Sequence, residues 1–192
     1  MGNKKSTPKN YLSEKDLMFL EANTKFNREK IIQWHDAFLV DCPNGKLDKK
    51  LFVKLYTQLE PAEGKADKYA EFVFKAFDVD HSGYIDFTEF LLAFNIRSKG
   101  KIEERLSWTF NLYDLDNNGQ IDKKELKKMF EVLFTMLNVN KKDERYNVDK
   151  RVDEVIKKYD VSGDKKLSHD EFVQGVKNDE PLQRLLLDHQ LD

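Results

Sequence analysis

The chain has 192 residues, 35% of them charged, yet 33 Lys and Arg against 35 Asp and Glu leave a formal net charge of only −2. That balance argues against a basic nucleic-acid binder and against an acidic solvating tail, and no apolar run approaches the roughly 18 residues needed to span a bilayer. One cysteine, Cys42, excludes an internal disulfide framework and fits a reducing compartment, while 14 Phe with only 8 Gly and 4 Pro favour helices packed through aromatic rings. In chain order, Met1–Ser6 is polar, without an apolar signal core, and fits the N-myristoylation pattern M-G-x-x-x-[ST] with Gly2 as acceptor. Ser13 reads as the cap of a first helix. Ile31, Trp34 and Phe38 then form one apolar helical stripe, and Phe52, Leu55, Tyr56 and Leu59 a second. Tyr69, Phe72, Val73, Ala76 and Phe77 precede a twelve-residue loop at Asp78–Glu89, and Phe87, Phe90, Leu91 and Phe94 follow its turn. Asn95–Gly100 is the expected hinge between two halves. Similar helical stripes flank loops at Asp114–Glu125 and Asp160–Glu171, with Asn140–Asn147 as a longer connection between them. Pro181 suits the first turn of a last helix bearing Leu182, Leu185 and Leu186.

The loops are a repeat. Asp78–Glu89 reads DVDHSGYIDFTE, Asp114–Glu125 reads DLDNNGQIDKKE and Asp160–Glu171 reads DVSGDKKLSHDE; a faint fourth copy, Val40–Leu51, reads VDCPNGKLDKKL. Their aliphatic eighth positions, Leu47, Ile85, Ile121 and Leu167, are spaced by 38, 36 and 46 residues, so four helix–loop–helix units fill most of the chain. A hard cation such as Ca²⁺ takes six to eight oxygens, which a twelve-residue loop supplies from positions 1, 3, 5, 7, 9 and 12, the seventh through its carbonyl. The second loop offers Asp78, Asp80, Ser82, Tyr84, Asp86 and Glu89; the third offers Asp114, Asp116, Asn118, Gln120, Asp122 and Glu125. Both carry glycine at position 6, where a positive φ is needed. The fourth offers Asp160, Ser162, Asp164, Lys166, Ser168 and Glu171, but has Lys165 at position 6 and one ligand carboxylate fewer, so weaker binding is expected. The first loop has Val40, Cys42 and Leu51 at positions 1, 3 and 12 and cannot bind; its expected role is structural, with Leu47 pairing with Ile85 in a short two-strand contact.

These residues resemble the neuronal calcium sensors, the group of frequenin, recoverin and hippocalcin, and most the frequenin branch. The marks are Asp41-Cys42-Pro43-Asn44-Gly45 in a disabled first EF-hand, Met1-Gly2, the run Trp108–Asp116 leading into the third loop, and Lys150-Arg151-Val152-Asp153 before the fourth. The resemblance covers essentially the whole chain. It implies an all-α fold of four EF-hand units in two paired lobes: an acylated flexible terminus over 1–12, an N-terminal lobe over 13–96 and a C-terminal lobe with a final helix over 97–192. It implies an intracellular, non-enzymatic calcium sensor, cytoplasmic and peripheral on membranes, with Gly2 myristoylated. It also implies a target groove at Trp34, Phe38, Phe52, Tyr56, Phe90 and Phe94, although apolar periodicity by itself reports burial. Its implied targets are phosphatidylinositol 4-kinase, receptor kinases, guanylyl cyclases or channels. The other readings are a calcineurin-B-like regulatory subunit and a passive calcium buffer; the disabled first loop argues against both. No histidine pattern supports catalysis, and Cys42 has no apparent base nearby.

The small net charge is a sum of unlike parts. Eleven of the 35 acids are loop ligands, so the remainder of the chain carries 24 acids against 33 bases. Lys4, Lys5 and Lys9 beside Gly2 add attraction to anionic lipid, roughly 1 kcal/mol per charge near the surface.

Overall fold

The computed structural model describes residues 11–59, 65–140 and 142–189. The expected Gly2 acceptor and the lysines beside it lie outside them. Helix α1 (Glu14–Asn23) starts at Ser13, whose hydroxyl accepts from the Asp16 backbone while the Asp16 carboxylate accepts from the Ser13 amide. This reciprocal cap satisfies two donors that the first helical turn leaves over. The first unit continues with α2 (Arg28–Asp41), strand β1 (Leu47–Asp48) and α3 (Lys49–Leu59). The second has α4 (Asp67–Phe77), β2 (Tyr84–Ile85) and α5 (Phe87–Lys99). The third has α6 (Ile102–Tyr113), β3 (Gln120–Ile121) and α7 (Lys123–Met136); the fourth has α8 (Val148–Tyr159), β4 (Leu167–Ser168) and α9 (His169–Lys177). Helix α10 (Glu180–Asp188) closes the chain with Pro181 in its first turn, where the missing N–H costs nothing.

The four units pair as the eighth positions predict. β1 runs antiparallel to β2 with Leu47 opposite Ile85, and β3 to β4 with Ile121 opposite Leu167. Ile85, Ile121 and Leu167 are wholly buried and Leu47 nearly so. Each two-residue strand thus points one aliphatic side chain into the core and ties two loops together by main-chain hydrogen bonds. A two-stranded ribbon this short has no stability of its own; the helices that bury its side chains hold it.

The region between the halves differs from expectation. α5 continues through Asn95–Lys99, so a boundary at residue 96 falls inside a helix, and only Gly100 and Lys101 separate α5 from α6. Asn95 is buried and accepts from the Lys25 amide at 2.8 Å, so it is a structural group fastening α5 to the α1–α2 corner. Gly100 is demanded by close approach: a side chain there would collide with the Ile96 carbonyl. α4 packs on α6 and α7, and the Phe77 ring meets Trp108 edge-on at 5.8 Å, so the two halves share one hydrophobic core. α10 reaches back across that junction: its C-terminal His189 lies 2.7 Å from the Tyr69 hydroxyl, and Asp188 pairs with Arg105 at 2.8 Å.

Candidate functional site

Each loop is built from its own backbone. In the second, Asp78 accepts from the Ser82 and Gly83 amides at 2.9 and 3.1 Å, which curls the chain around its carboxylate. Glu89, in the first turn of α5, folds back so that Oε1 accepts from the Val79 and Asp80 amides and Oε2 from Asp86. The third loop repeats this: Asp114 takes the Asn118 and Gly119 amides, and Glu125 takes those of Leu115, Asp116 and Asp122. As a result, carboxylate oxygens of Asp78, Asp80 and Glu89 all lie within 4.8 Å of one another, as do those of Asp114, Asp116 and Glu125. Two oxygens on opposite sides of a Ca²⁺ ion sit about 4.6–5.2 Å apart, twice the bond length. The all-oxygen donors and their spacing therefore fit that ion. Asp78, Asp114 and Glu125 are buried, which raises the cost of leaving their charges unpaired. Asp86 and Asp122 serve as well as N-caps, accepting from the Glu89 and Glu125 amides.

Lys165 in the fourth loop does not carry the penalty expected of it. All three loops place positions 4 and 6 at positive φ: His81 and Gly83 (56° and 85°), Asn117 and Gly119 (56° and 81°), Gly163 and Lys165 (81° and 64°). Each loop thus has one glycine and one non-glycine residue in the left-handed region. The fourth loop exchanges their places rather than adding strain. Asp160 accordingly takes the amides of Gly163 and Lys165, positions 4 and 6, in place of positions 5 and 6. Glu171 still folds back onto Val161, Ser162 and Ser168. With Ser162 at position 3, however, the fourth loop does not bring three acids within the span seen in the other two.

The position-12 carboxyls sit in different fields. Burial pushes Glu89 up, against the hydrogen bonds from the Asp86 and Asp80 backbone. Glu171 feels some desolvation too, but the amides and hydroxyls of Ser168 and Ser162 outweigh it and hold the group down to about 2. The first loop is not of this kind. α2 runs on through its first two positions, and Pro43 at position 4 has φ fixed negative, where the other loops need the opposite sign. Cys42 is buried there, its thiol pushed up to about 11 by desolvation and then by Asp41 and Asp48, and is inert as a nucleophile.

The six aromatic positions expected for a groove are linked by a continuous chain of ring contacts in the first two units. Trp34 lies 4.6 Å from Phe94 and 6.1 Å from Phe90, and Phe38 lies 5.7 Å from Phe90. Phe52 stacks on Tyr56 at 5.8 Å, and Phe77 joins the two groups, 5.4 Å from Phe52 and 6.4 Å from Phe90. Phe38 and Phe52 are buried, while Trp34, Tyr56, Phe90 and Phe94 are partly exposed. Phe26 belongs to the same wall, stacked on Phe94 at 6.2 Å, although no helical stripe pointed to it: it lies in the α1–α2 corner.

A family model described as an EF-hand domain pair matches residues 103–177, and one described as an EF hand domain matches 69–96. These segments contain the fourth, third and second loops. The chain is 40% identical over 162 residues to neuronal calcium sensor 1 of Lymnaea stagnalis, covering 83% of this chain and 84% of that one. It is 34% identical over 191 residues to human recoverin (97% and 93% covered) and 37% identical over 154 residues to guanylyl cyclase-activating protein 1 of Gallus gallus (80% and 75%).

Proposed function

The chain belongs to the neuronal calcium sensor family of EF-hand proteins, and on that premise we propose that its second, third and fourth loops bind Ca²⁺ and that its aromatic wall is the face by which it regulates protein targets. The observation that supports this reading is one helix with two duties. Glu89 closes the second loop from the first turn of α5, and Phe90 and Phe94 stand on that same helix. A bound Ca²⁺ supplies a dication to be shared among six or more oxygens. Glu89 then answers for two oxygens at once, and any shift of its carboxylate is carried along a rigid helix to Phe90, Phe94 and their neighbour Trp34. Opening of a helix pair with exposure of apolar surface separates sensors from buffers, which barely open.

The first two units act as one lobe and the last two as the other, meeting after α5 on a shared core, with the second and third sites as the stronger ones. The first loop serves as the strand partner of the second. Gly2 carries a myristoyl chain, which gives only marginal, reversible membrane binding by itself; the basic remainder of the chain supplements it on anionic lipid. The partner is a protein of the kinase, cyclase or channel class. Guanylyl cyclase is favoured among them by the likeness to a cyclase-activating protein.

The test is a titration of the full acylated chain with Ca²⁺, reading ANS and tryptophan fluorescence, together with a calcium-dependent pull-down. The expected result is a rise in ANS emission at roughly 10⁻⁷–10⁻⁵ M free Ca²⁺. Both that rise and the partner recovery should weaken in Glu89→Gln and Glu125→Gln. Unchanged ANS emission at saturating Ca²⁺ defeats the sensor reading in favour of a buffer. Gly2→Ala should lose liposome co-sedimentation; equal binding by both forms defeats the acyl anchor.

A further inference from the structure

The third and fourth loops touch through side chains at corresponding positions. Gln120 is at position 7 of the third loop and Lys166 at position 7 of the fourth, and the paired strands β3 and β4 bring them together. The Lys166 ammonium donates to Gln120 Oε1 at 3.1 Å, and Gln120 Nε2 donates to Asp164 Oδ2 at 3.2 Å. Asp164 is position 5 of the fourth loop, and its other oxygen, Oδ1, accepts from the Lys166 amide at 2.9 Å. The amide is oriented by charge. Turned over, it would set its oxygen against the carboxylate and its NH₂ against the ammonium.

We propose that Gln120 is a positioning residue that couples two calcium sites: its main-chain carbonyl belongs to the third, while its side-chain amide holds a ligand of the fourth. The inference rests on the reading of the fourth loop as a Ca²⁺ site. A position-5 carboxylate ligates through one oxygen, which leaves the other for an outer partner. Gln120 occupies that other oxygen and fixes the rotation of Asp164, so that Oδ1 stays turned toward its own loop. Partners of this kind orient a ligand without touching the metal. The fourth loop has most need of one, since its position 3 is a serine. Fixing the Gln120 carbonyl in an occupied third site also fixes the base of the side chain that holds Asp164. Filling the third site therefore prepares the fourth, and by reciprocity the fourth strengthens the third.

The first lobe shows the same contact without a second ion. Lys46, position 7 of the disabled loop, places its ammonium 3.7 Å from the centre of the Tyr84 ring, and Tyr84 is position 7 of the second loop. In both lobes a lysine from one loop thus steadies the position-7 residue of its neighbour.

The test is calorimetric Ca²⁺ titration of the full chain as wild type, Gln120→Ala, Glu125→Gln, the double variant and Glu171→Gln, with the calcium-free melting temperature of each. The event removed by Glu171→Gln marks the fourth site. Gln120→Ala should weaken that site about tenfold, the lower end of outer-partner effects, and the third site much less, with little change in melting temperature. Glu125→Gln should weaken the fourth site in the wild type but add nothing once Gln120 is gone, the signature of a coupled pair. In the wild type, the Gln120 side-chain NH₂ resonances should shift in both calcium steps. Fourth-site affinity unchanged in Gln120→Ala, or equal effects of Glu125→Gln in both backgrounds, overturns the coupling while leaving the fourth site standing. If Glu171→Gln removes no binding event, the calcium reading of the fourth loop itself fails and takes this proposal with it.

Discussion

Gly175→Ala tests the packing of the helices that flank the fourth loop. Gly175 lies on α9, where it faces the Tyr159 ring of α8. An added Cβ would sit 2.6 Å from Tyr159 Cγ, with only ring and side-chain atoms nearby to give way. In an open helix the change would stabilise by roughly 0.8–1 kcal/mol, since glycine is the poorer helix former. Here the ring must swing aside, at about 1–3 kcal/mol for overpacking. The swing also endangers the hydrogen bond from the Tyr159 hydroxyl to Asp179, the residue that caps α10; bonds to charged groups are worth roughly 1.5–3 kcal/mol. The net expectation is a loss of about 2–4 kcal/mol from those contributions. Urea unfolding of the calcium-free chain, followed by circular dichroism, measures it. In a Tyr159→Ala background the ring is gone and only the residue-159 Cβ, 3.1 Å from the added methyl, stays close, so most of the loss should disappear. Stabilisation of the wild type by Gly175→Ala would refute the argument, because helix propensity would then outweigh packing.

Three further outcomes follow from the structure. Cys42, buried and pushed up to about 11, should resist thiol reagents at pH 8 in the folded chain and react at once in denaturant; rapid labelling of the native protein would contradict its burial. His35 is buried against the Phe87 ring, and desolvation lowers its pKa, with Asp36 opposing weakly. Its folded value lies below its unfolded one, so its contribution is fully present above about 6.5 and is lost as pH falls toward the folded value, because the unfolded chain takes the proton first. His35→Phe should flatten the stability slope below pH 6.5, measured by thermal unfolding across pH, and an unchanged slope would refute the assignment. Phe94→Ala removes the ring nearest Trp34, so it should shift the tryptophan emission of the calcium-free chain and reduce calcium-induced ANS binding, while leaving the third site's Ca²⁺ affinity unchanged by calorimetry.

The converging acidic loops, the caps and the strand partners were legible in the sequence because each depends on chain-local spacing. A carboxylate at position 1 and another at position 12 converge whenever the backbone between them curls, and Asp78 and Glu89 carry that information within twelve residues. Ser13 and Pro181 likewise act within one helical turn. The hinge at Asn95–Gly100 was misread for the complementary reason: polarity marks a loop only where the polar group reaches solvent, and Asn95 instead meets the Lys25 amide from seventy residues away. The penalty assigned to Lys165 was misplaced because position 4 needs a positive φ as much as position 6 does, and Gly163 already meets that need.

By itself, then, the sequence determined the four-unit repeat and the two loops whose carboxylates converge, Asp78–Glu89 and Asp114–Glu125. Tertiary structure alone decided which aromatic rings are buried and which remain open, since Phe38 and Trp34 lie on the same helical stripe yet differ in exposure. It also decided that Gln120 reaches Asp164, 44 residues on. Periodicity reports which face of a helix is apolar; how deeply that face is covered, and which loop a long polar side chain meets, depend on segments brought together only by the folded core.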